Sequence, residues 1–426
     1  MVASRLLGPG DFGLLAFAQS ILLLAGFVLQ SGVPWTLTRD MVPATTERRA
    51  ALVRGALLTN TGIALVLGGV IGVLYAAGPF HRGLEAVPVV IAVVAALPLF
   101  SVSAVARAAA QGVQAFGRVG VIQTVEVTFK AIVGLALAAI GFGALGAVAG
   151  FAVGGLVAAV VGVAIVVTRV PLFGRSLAWP ALGTVAPMFG ALLGLALILN
   201  LDLLAMKLLV TDRAATGQYQ AAIILANAPY FLVSSAIVPV LFTRLAVHGR
   251  LTETRARVAE ALRLAVGLAL PVELLLIVVP ETVLRLLFPA AYAGAAPILR
   301  LMAVGNGALL TVCIVTAAFQ AIDRSSEVGR VLLVVVALEV PTLAFVVPSF
   351  GAFGAVVTFD IAALASAIVL GVRYVALARV RLAPVAGWLA RFGLAVAVGG
   401  VIATAAWAVA GVYAGIAAGG LVYYGL

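Results

Sequence analysis

The sequence predicts an all-α polytopic membrane protein, built as two parallel-repeat six-helix bundles around a central cavity plus extra C-terminal helices. Composition is the first reason. Of 426 residues, 64% are hydrophobic and 10% charged, with a mean hydropathy of +1.26, whereas soluble domains carry about 25% charged residues. The second reason is the placement of the basic residues. Of 26 Lys and Arg, 19 fall in or beside every second gap between apolar segments: Arg39, 48, 49 and 54; 107 and 118; 169 and 175; 244, 250, 255, 257 and 263; 324 and 330; 373, 379, 381 and 391. The N-terminal stub and the intervening gaps hold six, and Lys130 sits deep inside a segment. Cytoplasmic ends of membrane helices keep positive residues because these resist translocation and favour the anionic leaflet. The alternation therefore implies complete crossings with the odd-numbered gaps facing the cytoplasm, in a multi-pass protein of the cytoplasmic (inner) membrane.

The third reason is an internal repeat. AAQGVQAFGRVGVIQ…GFGALGAVA over 109–149 returns as AAFQAIDRSSEVGRV…SFGAFGAVV over 317–357, roughly 208 residues later. LLGPGDFGLLAFAQS near the start likewise echoes LLVTDRAATGQYQAAI after Lys207. Both pairs fall on corresponding sides of the membrane, so the halves are expected to be parallel repeats related by an axis along the membrane normal.

A crossing helix needs about 20 apolar residues. Full spans are expected near 13–35, 50–77, 86–106, 119–141, 145–168, 178–203, 217–243, 259–279, 294–320, 329–347, 352–376 and 386–410. The last apolar stretch, 412–426, is short for a crossing. The expected organisation is an N-terminal lobe over 1–172, a C-terminal lobe over 173–378 and extra helices over 379–426. The charge count places Met1 outside, so a first helix is expected to be missing and the final one clipped. Gly146, Gly150 and Gly154 recur at the four-residue spacing of close helix packing. Prolines within spans (Pro98, Pro187, Pro229, Pro239, Pro271, Pro341) predict bends tolerated by neighbours or by a wet cavity.

Several function classes are excluded or disfavoured. The basic residues sit in short loops without interleaved aromatics, so no nucleic acid is expected despite the net charge of +11. Cys313 is the only cysteine, which rules out a disulfide framework and a thiolate metal cluster. His81 and His248 lie in gaps on opposite faces. No catalytic constellation, nucleotide-binding loop or cofactor motif is present, so neither an enzyme nor a cofactor is expected.

Charges inside spans are the best clues at residue level, since each costs about 2.5–3.5 kcal/mol at the bilayer centre. Asp202 and Lys207 lie five apart, so they point apart on a helix. Asp202 reads either as an ion-coupling carboxylate or as an interfacial anchor. Glu126 and Lys130, four apart in the favourable order, read as a mutually neutralised pair or as site residues. Glu339 lies one position from the repeat equivalent of Lys130, which makes an acidic site in both halves conceivable. Glu273, beside Pro271, and Asp360 are further lone acids. Arg39, Arg54, Arg107, Arg244 and Arg373, at the cytoplasmic ends of spans, suit a phosphate group through their bidentate forks, or simply set topology. Gln19, Gln30, Asn60, Asn200, Asn227 and Asn306 line a polar path or join helices.

RLLGPGDFGLLAFAQS, LDLLAMKLLVTDRAATGQYQAA, PETVLRLLFPAAYAGAAPILRLMA and AAFQAIDRSSEVGRV…FGAFGAVVT, taken in order, resemble the polysaccharide (oligosaccharidyl-lipid) flippases of O-antigen type. These share an exporter superfamily with the multidrug-and-toxin extruders and the peptidoglycan lipid flippases. The resemblance runs over nearly the whole chain. It implies a monomeric transporter that turns an undecaprenyl-pyrophosphate-linked oligosaccharide from the inner to the outer leaflet by alternating access, driven by H⁺ or Na⁺. Asp202 matches the acidic position of the family's motif opening the second half, with Leu203 where relatives often carry a basic residue. By analogy Arg39 and Arg54 border the cavity. The expected substrate-binding residues are Arg39, Arg54, Lys130, Lys207 and Arg244; the expected ion-coupling residues are Asp202, Glu126 and Glu339; no metal site is expected. The alternatives are a multidrug extruder of the same superfamily and, from another class, a membrane glycosyltransferase or polymerase.

Overall fold

The structure, a computed structural model, describes residues 2–78, 87–170, 176–179, 186–248, 251–322 and 324–378. Among these no strand occurs. The helices are α1 (Val2–Leu6), α2 (Pro9–Ser31), α3 (Val33–Met41), α4 (Thr46–Ala76), α5 (Val87–Gly112), α6 (Phe116–Leu137), α7 (Gly143–Val167), α8 (Ala186–Ile198), α9 (Leu201–Leu209), α10 (Arg213–His248), α11 (Leu251–Val278), α12 (Pro280–Leu287), α13 (Ala296–Ala321) and α14 (Ser325–Ala378). Among the described residues, seven helical segments are long and apolar enough to cross a membrane, or eight when the bent pair α8–α9 is taken as one span. Two of the seven, Phe116–Val167 and Ser325–Ala378, each contain two of the expected spans. The chain is a multi-pass membrane protein of all-α class. The spans expected at 386–410 and 412–426, and the extra helices assigned to 379–426, lie outside the described residues.

Each merged pair is a hairpin with almost no loop, and glycine makes that possible. Between α6 and α7 the chain takes one π-helical turn, Ala138–Phe142, ending at Gly143 with φ 53° and ψ −137°. Inside α14 the break falls at Gly351, with φ 55° and ψ −134°. Positive φ is open to glycine at little cost and strained for residues bearing a Cβ. These two glycines lie 208 residues apart, the offset of the repeat, so the two halves turn the same corner with the same backbone. The hairpin then closes tightly. A Cβ on Gly150 would fall 2.5 Å from the Gly134 Cα, and one on Gly154 2.7 Å from the Glu126 carbonyl oxygen. The packing expected of this glycine run is what α6 and α7 use.

The span expected over 178–203 is not one continuous helix. It breaks at Leu199–Asn200, where α8 and α9 meet at 46°. Asn200 leaves helical geometry (φ −136°, ψ −14°) and returns its Nδ2 to the Ala196 carbonyl at 2.8 Å. A side chain that competes for its own backbone in this way favours a helix end.

By packing, the described chain divides into two compact units. The first comprises the described parts of 1–224, 284–298 and 325–362, and takes in helices from both expected lobes. Its core joins Val33, Leu37 and Met41 of α3 to Leu52 and Val53 of α4, Val105 and Ala109 of α5, Ile122 of α6 and Ala158 of α7. The second comprises the described parts of 225–283, 299–324 and 363–426. Outward faces of several helices stay apolar: Leu65, Val66 and Val73 on α4, Ile132 on α6, and Phe345 and Phe350 on α14 are all exposed. Stripes of this kind suit lipid, since soluble monomers rarely display large contiguous apolar faces.

Candidate ion-coupling and substrate-binding site

The bend between α8 and α9 positions Asp202. It lies in the first turn of α9 and Lys207 in the last, so the acid meets the positive end of the helix dipole and the base the negative end. Both side chains are buried, at 1% and 2% exposure. They form no ion pair with each other, as their spacing predicts. Instead, the Tyr219 hydroxyl of α10 donates to Asp202 Oδ2 at 2.7 Å, and the Leu203 N–H donates to Oδ1 at 2.8 Å. Glu339 of α14 is buried within Coulombic reach of Asp202. Asp360, also buried, and Glu339 both act electrostatically on Tyr219. Neither oxygen of Glu339 has a hydrogen-bond partner.

Three acids and a tyrosine from α9, α10 and α14 therefore share one buried site. Carboxylates this deep stay only if paired, solvated or used, and Glu339 has no hydrogen-bond partner for either oxygen. Among the described residues no three of His, Cys, Asp and Glu are arranged to hold a metal ion. The sequence singled out Asp202 and Glu339 and the structure brings them together. Asp360 had read as a lone acid. Tyr219 had not been singled out at all, since no local rule links a tyrosine to a carboxylate 17 residues away.

Glu126 belongs to a different network, and the expected Glu126–Lys130 pair does not form. Glu126 Oε2 is the partner of the Arg107 guanidinium of α5 and accepts from the Ser103 hydroxyl at 3.2 Å. Arg107 also donates to Gln30 Oε1 of α2 at 3.2 Å. Lys130 turns to α7, with Nζ 4.9 Å from the centroid of the Phe151 ring, within cation–π range. The reason is tertiary. The planar guanidinium of Arg107 can hold Glu126 through one nitrogen and Gln30 through another, which a flexible ammonium one turn away does not match.

Of the arginines expected at the cytoplasmic ends, Arg39 and Arg54, like Arg107, are engaged. Arg39 meets Asp40 at 2.7 Å, with its side chain 48% exposed. Arg54 donates from Nε and Nη2 to the Ser176 carbonyl at 2.9 and 2.7 Å, and from Nη2 to the Ser176 hydroxyl at 2.8 Å. Arg49 donates to the Met41 and Val42 carbonyls at 2.9 and 3.1 Å, where the end of α3 has free acceptors. Arg244 lies in α10, but its side chain is outside the described ones. Asn60 is fully buried and its Nδ2 bridges the Leu29 and Ser101 carbonyls at 3.0 and 3.4 Å, which joins α2, α4 and α5.

A family model described as "Polysaccharide biosynthesis protein" matches residues 2–297. The chain belongs to this family. No curated protein matches the chain significantly. Among solved structures, this polysaccharide biosynthesis protein is similar to the lipid II flippase MurJ in its inward closed conformation, with a TM-score of 0.72, 12% identity, and 98% and 95% of the two chains covered. It is also similar to a multidrug resistance MATE family transporter of the MOP superfamily in an inward-facing conformation, with a TM-score of 0.64, 15% identity, and 89% and 93% covered. A MOP superfamily transporter from Pyrococcus furiosus, whose binding pocket is described as of reverse polarity, gives a TM-score of 0.54 at 14% identity, with 89% and 88% covered. At such identities the likeness shows the fold, which agrees with the all-α polytopic class expected from the sequence.

Proposed function

We propose that this polysaccharide biosynthesis protein flips an undecaprenyl-pyrophosphate-linked oligosaccharide from the cytoplasmic to the outer leaflet of the cytoplasmic membrane. It works as a monomer, by rocking of the lobes 1–172 and 173–378, and an inward flow of H⁺ or Na⁺ drives the cycle. The observation that carries the reading is the coincidence of a polysaccharide biosynthesis family match over most of the chain with the fold of a lipid flippase over nearly all of it.

Asp202 and Glu339, with Tyr219 and Asp360 around them, support the coupling half of the proposal. They are buried oxygen groups, and both Glu339 oxygens lack a hydrogen-bond partner, which suits loading and unloading a small cation. Glu126 contributes through Arg107: it neutralises the guanidinium until a substrate anion competes for it. Arg39, Arg54, Lys130, Lys207 and Arg244 are the cations proposed to meet the pyrophosphate, Arg39, Arg54 and Arg244 at the cytoplasmic mouth and the two lysines within the membrane. Guanidinium groups suit this task because two parallel N–H donors match two phosphate oxygens.

The test is complementation in cells lacking their own flippase for a lipid-linked repeat. Expression of the full chain is expected to clear the repeat from the cytoplasmic leaflet, and Asp202→Asn to abolish that clearance. Persistent accumulation with the wild-type chain inserted in the membrane would reject the substrate assignment. The buried acids and the MATE-like fold also favour a second reading, a multidrug extruder, which predicts resistance to cationic dyes in the same cells.

A further inference from the structure

The second compact unit holds a buried carboxyl that the proposed mechanism does not use. Glu273 of α11 is 5% exposed. Its Oε2 lies over the backbone of Gly307 in α13, where a Cβ would fall 2.8 Å from Oε2 and 3.5 Å from Oε1. The missing side chain at Gly307 is what admits the carboxyl. Its Oε1 has no hydrogen-bond partner. Among the described residues no other charged or titratable group acts on it, from α11, from α13 or from any neighbouring helix.

Asn306, the residue before Gly307, is fully buried too. Its Nδ2 is committed to the Met302 carbonyl at 3.1 Å, and its Oδ1 has no partner. Helices α11 and α13 thus each carry a buried oxygen acceptor without a partner, Glu273 against Gly307 and Asn306 one residue before it, with the Asn306 amide donor already taken. A carboxylate and an amide oxygen are both acceptors, so neither can satisfy the other. What completes such a set is an electrophile small enough for a tight space: a proton shared with Glu273, or a dehydrated Na⁺.

We infer that Glu273, seated on Gly307 at the level of Asn306, forms a second monovalent-cation site, separate from the Asp202 cluster. The proposed transporter then carries two cation-binding carboxyl sites, one in each compact unit. The inference rests on the ion-coupled reading only for its role in transport; occupancy of the site stands by itself.

The experiment uses the full chain in lipid nanodiscs, with Asp202→Asn and Glu339→Gln introduced to silence the first site. Na⁺ binding is followed by radiotracer, and carboxyl protonation by infrared spectroscopy. A residual cation-dependent signal is expected. It should be lost in Glu273→Gln and weakened about tenfold or more in Gly307→Ala, which keeps every charge but pushes a methyl into the carboxyl. Tracer binding identifies the ligand as Na⁺; a protonated carboxyl band without tracer binding identifies it as H⁺. A residual signal unchanged in both variants, or no such signal in the doubly silenced protein, would overturn the site. If Glu273→Gln does not fold, Gly307→Ala and Glu273→Asp decide by the same readouts. Failure of the ion-coupled reading shows elsewhere, as wild-type flipping by Asp202→Asn alone.

Discussion

Gly13 and Gly217 each lie against a backbone carbonyl four residues before the other. A Cβ on Gly13 would fall 2.6 Å from the Arg213 oxygen, and a Cβ on Gly217 1.9 Å from the Pro9 oxygen. Pro9 and Gly13 stand to α2 as Arg213 and Gly217 stand to α10, with a constant offset of 204. The contact is therefore reciprocal, as a two-fold relation between the repeats requires. It places a pseudo-axis between the starts of α2 and α10, where the backbones touch with no side chain between them.

Because backbone, rather than a flexible side chain, occupies that space, the strain has nowhere to go. Gly217→Ala is expected to lower stability by about 1–3 kcal/mol, the range for overpacking, and Gly13→Ala by less, since its clash is milder. Gly62, inside α4 with nothing near its Cβ position, is the control. There Ala is expected to be neutral or to stabilise by up to about 1 kcal/mol, because it restricts the unfolded chain. Thermal unfolding in detergent checks all three, and equal effects at Gly217 and Gly62 would contradict the reciprocal contact.

The Arg107–Glu126 pair makes a sharper claim about Glu126 than its sequence does. Both side chains are mostly buried, at 12% and 14% exposure, so removing one partner strands the other. Glu126→Gln and Arg107→Gln are each expected to cost about 1–3 kcal/mol. A double-mutant cycle should return a coupling energy for Arg107–Glu126 and almost none for Glu126–Lys130. Lys130→Met should lose only its contact with Phe151, worth about 0.5–1 kcal/mol. A large Glu126–Lys130 coupling would mean that the pair forms along α6 after all.

What the sequence revealed divides by range. The repeat was legible because its turns are local: GFGALG and SFGAFG both need a glycine at the third residue, and Gly143 and Gly351 occupy it with the same backbone. The burial of Asp202 and Glu339 was legible because a charge in an apolar run is conspicuous. The partners were not. Tyr219 reaches Asp202 across the α9–α10 connection, and Arg107 reaches Glu126 from another helix. The only rule a sequence offers for Glu126 is the neighbour one turn on, and it pointed to Lys130. The break at Asn200 was also hidden, since an apolar segment reads as continuous until its side chains compete with the backbone.

Tyr219→Phe separates the proposed coupling role of Asp202 from a structural one. The substitution keeps the ring and its packing and removes the single hydroxyl that donates to Oδ2. A buried carboxylate without that donor is disfavoured by about 1–3 kcal/mol, which is roughly tenfold or more in the occupancy of its charged form. Gradient-driven flipping in proteoliposomes should slow by about that factor, while helical content and melting change little. Wild-type rates in Tyr219→Phe would remove the support this hydrogen bond gives to ion coupling at Asp202.

Arg54 ties the segment 176–179 to α4. Three hydrogen bonds reach Ser176, the Ala178 N–H donates to the Ala51 carbonyl at 3.1 Å, and Gly55 admits the Ala178 oxygen to within 2.0 Å of where a Cβ would stand. That tether and a substrate-binding role make different demands on the same guanidinium. Arg54→Lys keeps the charge but loses the fork that holds both the carbonyl and the hydroxyl of Ser176, so protease cleavage near 176–179 should rise almost as far as in Arg54→Ala. Ser176→Ala removes the hydroxyl and leaves both bonds to the carbonyl, and should change cleavage little. If Arg54→Lys instead preserves protection and lowers only flipping, charge rather than the fork is what the site uses. If both readouts fall together, the arginine that holds the segment also serves the proposed flipping, and capture of the proposed substrate would release 176–179 from α4.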